Sequence, residues 1–342
     1  MKNILKYLLL CCSALSLFGC EDYLDKTPQG DKTEEDVFTR FNETEQLINR
    51  LYFYVRAADQ PLVHIRYFSD SALADECEGS SAENGWSNKF NEGDWEPGAE
   101  LYSKCNATTD AGACHTFWPA LYQDIRCANV ILEGIEKYNT PDSQVHPGTL
   151  SQRIGEVYFL RAWTYANLIE RYGGVPIIKK AYGMNDEFGA KRDMFDDCVD
   201  FILEDLTEAK KYLSETSVLG RVNSDVCLAL ESRITLIAAS PLFNDPANPA
   251  GSIVRGAYSA DKWERARKAA KAIVDRADVD GAYSLASTYD DHWKNINSDE
   301  VIWAKYFTST SGNKAQLFYA LIDASETLNG WSSMEPTEAL VL

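Results

Sequence analysis

The stretch "IGEVYFLRAWTYANLIERYGGVPII", residues 154–178, constrains the fold more than any other. Its apolar residues run nearly all round at helical spacing, so a helix over 154–172 has to be enclosed on most sides. Ala162 and Ala166 allow neighbouring helices to come close. Gly173-Gly174 stops the helix and Pro176 prevents it from resuming. A chain carrying such a segment needs several other helices to cover it.

Those helices are readable. Thr33-Glu34-Glu35-Asp36 has the capping-box spacing, a hydroxyl followed three residues later by a carboxylate. Val37, Phe41, Thr44, Ile48, Leu51 and Val55 follow at helical spacing and predict one helix. Phe117, Leu121, Ile125, Ala128, Leu132 and Ile135 predict a second. Phe195, Val199, Ile202, Leu206, Ala209 and Leu213 predict an amphipathic helix with Asp193 as N-cap. Val226 to Ala239 predicts another, closed by Ser240-Pro241, and Trp263, Ala266, Ala270 and Ile273 mark the last. "VIWAKYF", residues 301–307, is the best strand candidate. The fold class expected is mainly α.

Helix starts near 152, 194, 224 and 262 form two pairs about 72 residues apart. "W..A...A..I" from Trp263 to Ile273 resembles half a tetratricopeptide unit, in which small alanines let two helices nest. Between Ser69 and Ala113 the pattern changes to Gly, Ser, Asn, Asp and Trp with no lasting period. Long loops in compact domains are usually functional or disordered, and Trp86 and Trp95 argue against plain disorder.

The amino terminus explains the compartment. Lys2 and Lys6 precede an apolar run from Tyr7 to Gly19, too short for a stable bilayer span of about 20 residues. Leu17-Phe18-Gly19-Cys20 resembles a bacterial lipobox, although Phe18 is bulkier than is usual there. Residues 1–19 are then a signal peptide, Cys20 is the lipidated residue, and 20–32 form an extended tether. The alternative is a soluble secreted protein whose cysteine is incidental. Glu21, Asp22 and Asp25 resemble acidic signals that send lipoproteins to the cell surface.

Charge narrows the partners. The 342-residue chain carries a formal −19, and losing Lys2 and Lys6 would make it −21. Such a surface repels nucleic acid and anionic lipid. Of nine cysteines, six remain after Cys11, Cys12 and Cys20. Cys105 and Cys114 flank a short loop and are the candidate disulfide. Cys127, Cys198 and Cys227 lie inside apolar helical patterns and read as buried thiols. Cys114-His115 lacks a second pair at ligand spacing, so neither a metal nor a cofactor is expected.

"CEDYLDKTPQG" at the lipidated start, "LYQDIRCANVILEGI" at 121–135 and "GEVYFLRAWTYANLIERYGGVPII" at 155–178 resemble the SusD/RagB family of surface nutrient-binding lipoproteins of Bacteroidota. "NSDEVIWAKYF" at 297–307 and "MEPTEALV" at 334–341 resemble further family segments. The resemblance implies a SusD-like fold: tetratricopeptide-like helix pairs supporting long irregular loops, with few strands. It implies one domain over 33–342, with amino-terminal helices and binding loops in 33–138 and helix pairs in 152–277. It also implies outer-membrane, cell-surface localisation through a lipid anchor. The ligand would be an oligosaccharide or polysaccharide, in some members a peptide. The partner would be a SusC-like TonB-dependent transporter, facing residues 155–275, with no catalysis. Family members are longer, and "EPTEAL" lies well before their end. The expectation is therefore a domain incomplete at its C-terminus.

A sugar ring presents an apolar face and a hydroxyl edge, so its site calls for a flat aromatic beside carboxylates, amides or Arg. Trp86 and Trp95 are candidate platforms, with Asp75, Glu76, Asn84 and Asn91 as hydroxyl partners. Trp331 is a third platform candidate. The alternative is that Trp86 and Trp95 pack beneath their own loop. Trp118, Trp163, Trp263 and Trp303 read as core. A glycoside hydrolase is the competing class and needs two carboxylates across a cleft. Among 52 acidic residues, Asp75-Glu76, Asp196-Asp197, Glu204-Asp205 and Asp290-Asp291 are pairs expected by chance. Asp196-Asp197 and Glu204-Asp205 read as a solvated helix face. None of His64, His115, His146 and His292 lies in H-E-x-x-H, and no G-x-S-x-G occurs. A helical-repeat scaffold without nutrient ligand is the third class, against which the loop tryptophans speak.

Overall fold

The computed structural model describes residues 32–55, 77–79, 117–216, 218–288, 291, 295, 298–306 and 334–336. The expected helix after Thr33 is two: α1 (Glu34–Phe38) and α2 (Phe41–Tyr54). The capping box is present, with Asp36 N–H donating to Thr33 Oγ1 and Thr33 N–H to the Asp36 carboxylate, both at 3.1 Å. The break comes at Arg40, whose backbone is extended at φ −128° and ψ 114°, after Thr39 closes α1 with both its N–H and its hydroxyl donating to Glu35 O. The bend lets Phe38 enter the same core as Ile48 and Leu51.

Five longer helices follow: α3 (Phe117–Tyr138), α4 (Thr149–Tyr172), α5 (Phe195–Tyr212), α6 (Ser224–Ala239) and α7 (Asp261–Asp278). Their contacts fix alternating directions. Trp118, near the start of α3, packs edge-on against Tyr172 at the end of α4. Gly155, early in α4, lies against Ala209 and Leu213 at the end of α5. Asp196 at the start of α5 pairs with Lys262 at the start of α7, while Asp225 at the start of α6 pairs with Arg276 near the end of α7. The helices therefore run alternately up and down, each pair burying one face.

As its periodicity requires, α4 is buried from Gly155 to Ile169 except at half-buried Tyr158 and Trp163. Gly173 ends it with φ 71°, a left-handed value that disfavours side chains. The N-terminus has no local side-chain cap. Asp142 reaches it instead, with Oδ2 accepting from Gly148 N–H and Oδ1 from Leu150 N–H at 2.7 Å.

Four expectations are corrected. Asp193 does not cap α5: its Oδ2 accepts from Ile177 N–H at 2.7 Å, holding the segment after Pro176, and the N-cap position is Met194. Asp205 is not on a solvated face, being 2 % exposed. It accepts two bonds from Arg161, whose Nη1 also donates to Asn129 Oδ1 at 2.7 Å, so one guanidinium braces α3, α4 and α5. Trp263 is not core. It is 50 % exposed, because α7 turns Ala266 and Ala269 inward. Residues 301–306 are not a strand and have no ladder partner among the described residues. Side chains anchor them instead. The described strands are β1 (Cys77–Gly79) and β2 (Met334–Pro336), antiparallel with Cys77 opposite Pro336.

Cys198 and Cys227 are buried thiols and Cys127 is half-buried, all free. Cys20, Cys105 and Cys114 lie outside the described residues.

Candidate functional site

On α2, Asn49 and Tyr52 are three apart and share one helix face, and Val55 follows as the C-cap. That face meets the turn Leu219-Gly220-Arg221 and the segment Trp303-Lys305-Tyr306, and the three enclose an open cleft of about 370 Å³. The turn depends on Gly220 through its left-handed φ of 77°, and the Tyr306 ring lies in ordinary contact distance, 3.5 Å, of where a Cβ would lie.

Each wall is held. Trp303 Nε1 donates to Gly220 O at 3.2 Å, while its ring packs edge-on against Phe159 and Trp163 at centroid distances of 5.5 and 5.6 Å. Tyr52 Oη accepts from Val222 N–H at 3.1 Å. The Arg221 guanidinium lies 4.9 Å from the Tyr52 ring centroid. Its Nη1 donates to Glu156 Oε2 at 2.9 Å and its Nη2 to Asn49 Oδ1. Lys305 Nζ donates to Val55 O at 2.9 Å.

Glu156 is fully buried behind the wall and also accepts from Arg153 at 2.7 Å; Arg153 in turn holds Glu45 at 2.8 Å. Burial pushes the Glu156 carboxyl up, against the pull of Arg221 and Arg153. Burial and then neighbouring Glu156 push the Tyr52 hydroxyl up, so it stays neutral.

The cleft therefore offers aromatic surface from Tyr52, Trp303 and Tyr306 beside amide, guanidinium and ammonium groups. That combination suits a sugar's apolar face and hydroxyl edge. Among the described residues none that lines it is a carboxylate. Among the described residues no group of three or more His, Cys, Asp and Glu could hold a metal ion. A second cavity, of about 400 Å³, is lined among the described residues by Ser284, Leu285, Ser287, Asp291, Asn295 and Asp299, none of them aromatic.

The sequence-expected contacts Asp75, Glu76, Asn84, Trp86, Asn91, Trp95 and Trp331 lie outside the described residues. Trp118, Trp163 and Trp303 are each half-buried and pack against the core, and Trp303 also lines the cleft. Asn49, Tyr52, Arg221, Lys305 and Tyr306 were not singled out by sequence. The available signals were the Asn49/Tyr52 spacing and the close succession of Trp303, Lys305 and Tyr306.

No helix of the described residues is long and apolar enough to cross a membrane. A family model described as SusD-like, "starch-binding associating with outer membrane", matches residues 22–236. A SusD-like protein of Formosa agariphila is 26 % identical over 218 residues, covering 63 % of this chain and 39 % of its own. One from Bacteroides ovatus is 23 % identical over 302 residues, covering 87 % of this chain and 49 % of its own. The chain thus spans between about two fifths and half the length of these curated relatives. Among solved structures, a SusD-like protein from Bacteroides fragilis superposes with TM-score 0.63 at 21 % identity, covering 92 % of this chain and 55 % of its own. Another from that organism, titled a SusD-like carbohydrate-binding protein, gives TM-score 0.59 at 18 % identity, with coverages of 88 % and 52 %. The architecture of alternating helices around α4 is the one these structures share, and with a family model matched over more than half its length this chain belongs to the SusD-like family.

Proposed function

We propose that this protein captures a glycan at the bacterial cell surface and delivers it to a SusC-like TonB-dependent transporter, without catalysis. The observation that carries the reading is the cleft walled by Tyr52, Trp303 and Tyr306 with Asn49 and Arg221 at its side. Membership of an outer-membrane-associated, starch-binding family supports the same reading. Cys20 carries the lipid anchor and residues 20–32 give reach. Trp86, Trp95 and Trp331 are further platforms, with Asp75, Glu76, Asn84 and Asn91 as polar partners. The helix pairs of residues 155–275 face the transporter.

Two of the acidic pairs give the hydrolase alternative no carboxylate at the cleft. Asp196 is occupied by Lys262 and Ala257 N–H, and Asp205 by Arg161. Neither faces the cleft.

The test has two parts. The tagged protein is purified from its native outer membrane in mild detergent and its partners are identified by mass spectrometry; one stoichiometric TonB-dependent transporter is expected. Polysaccharide binding is then followed by affinity electrophoresis, and Tyr306→Ala and Trp86→Ala should each weaken it in a folded protein. Absence of any transporter, together with unchanged binding in both variants, would remove the reading.

A further inference from the structure

The chain is strongly acidic, yet the cleft is not. Among the described residues its lining contains Arg221 and Lys305 and no Asp or Glu, in a sequence with 52 acidic and 33 basic residues. The arrangement behind the wall accounts for how the cations are held there. Glu45, Arg153, Glu156 and Arg221 form a chain of ion pairs that is neutral as a set. Its buried member, Glu156, has no exposed side-chain surface and fixes Arg221 from behind. Asn49 fixes the second guanidinium nitrogen, and the Tyr52 ring supports its plane. Lys305 is tied to the end of α2 through Val55 O and brings a second positive charge to the same wall.

A concave wall of one charge sign raises the local concentration of the opposite ion. Positioned guanidinium and ammonium groups bind carboxylate and sulfate oxygens through charge-assisted hydrogen bonds. Aromatic rings beside them take the apolar face of the same sugar. We infer that this cleft binds the charged residues of an acidic polysaccharide, with a carboxylate or sulfate group at Arg221 and Lys305 and the pyranose ring against Tyr306 and Trp303. The inference rests on the glycan-binding reading and names the class of glycan.

The test uses the native full-length protein and matched polymer pairs, with affinity read by calorimetry. Oligogalacturonate is compared with its carboxyl-reduced neutral form, and a sulfated galactan with its desulfated form. The charged member of at least one pair binds about fivefold tighter or more, the contribution of one ion pair at a half-exposed rim. The pair that shows the preference identifies the anion. The preference fades at about 0.5 M salt, where charges are screened within a few ångströms. Lys305→Gln removes most of it and Lys305→Arg retains it. Arg221→Lys, which keeps the charge facing Glu156, weakens it through loss of the planar fork. If neutral and charged forms bind equally, or the preference survives both Lys305→Gln and Arg221→Lys in folded protein, the inference falls and the glycan reading stands. If no polymer binds, both fall.

Discussion

Arg161 on α4 and Asp205 on α5 meet through two parallel bonds, Nε to Oδ2 at 2.8 Å and Nη2 to Oδ1 at 2.7 Å, with both side chains almost fully buried. The pair holds together the helices that carry the core. Removing one partner leaves a buried charge without its counter-ion, which costs about 3–5 kcal/mol. Asp205→Ala is expected to lose that much stability in urea unfolding. Arg161→Lys loses a large part of it, because an ammonium cannot reproduce the fork. The double variant Arg161→Met with Asp205→Leu recovers most of the loss. An Asp205→Ala protein within about 1 kcal/mol of the parent would refute this account.

Gly134 on α3 is a docking point for Phe38 on α1. A Cβ there would overlap the Phe38 ring, and Phe38 is 1 % exposed. Gly134→Ala should destabilise by about 1–3 kcal/mol through overpacking. Phe38→Leu also destabilises, by opening a gap. Combined, the two changes should cost clearly less than their sum, because the smaller side chain makes room for the methyl. Strict additivity in thermal unfolding would mean that the two residues do not share one space.

Asp142 gives the stability a pH-dependent part. Backbone N–H donors from Leu150, Gly148 and Ser143 hold its carboxyl below the usual value. A depressed acid favours folding while ionised. Its contribution is complete above the unfolded pKa of about 3.9 and is lost as pH falls through the folded value. Asp142→Asn should lower the melting temperature at neutral pH, since one amide group then opposes an N–H donor. The gap between parent and variant should stay constant from about pH 7 to about pH 5 and close below about pH 4. A gap that widens on acidification would contradict the assignment.

The helices were legible because their signals are local: Thr33 and Asp36 cap one turn, and Ser240-Pro241 closes α6 where its apolar run ends. What failed was decided by partners distant in sequence. Asp193 lies at cap spacing, but the Ile177 N–H claims it. Asp205 shares a helix with charged neighbours, and only Arg161, 44 residues away, makes it a buried ion. Trp263 fits a repeat pattern, but α7 is rotated so that small alanines face inward. The cleft was legible least of all. Asn49 and Arg221 are 172 residues apart, and the bond between them exists only once α2 and the turn after α5 have packed.

The three described thiols, Cys127, Cys198 and Cys227, should be inert while the protein is folded. Burial pushes Cys127 and Cys198 up to about 11 and Cys227 up to about 12. Only the thiolate is nucleophilic, so at about pH 8 at most roughly one molecule in a thousand is reactive at each site. Iodoacetamide followed by mass spectrometry should find all three unmodified in the native protein and all three labelled in urea. Rapid native labelling of Cys198, which also donates to Val175 O at 3.3 Å, would show that the α5 core opens readily.

Gly220 offers a separation of backbone strain from cleft shape. It has φ 77°, and Gly281 has φ 65° with nothing within 4 Å of where a Cβ would lie. An L-residue in this left-handed region costs about 1–2 kcal/mol. Gly220→Ala and Gly281→Ala should therefore lower stability by similar amounts. Their effects on glycan affinity should differ. At Gly220 the added methyl touches the Tyr306 ring at 3.5 Å, and relaxation of the turn shifts both the carbonyl that accepts from Trp303 and the backbone carrying Arg221. At Gly281 no cleft residue is involved. The expected result is weaker binding in Gly220→Ala alone, with both proteins folded at the assay temperature. Equal affinities in the two variants would place the sugar away from this turn and return the weight of recognition to the tryptophans at 86, 95 and 331.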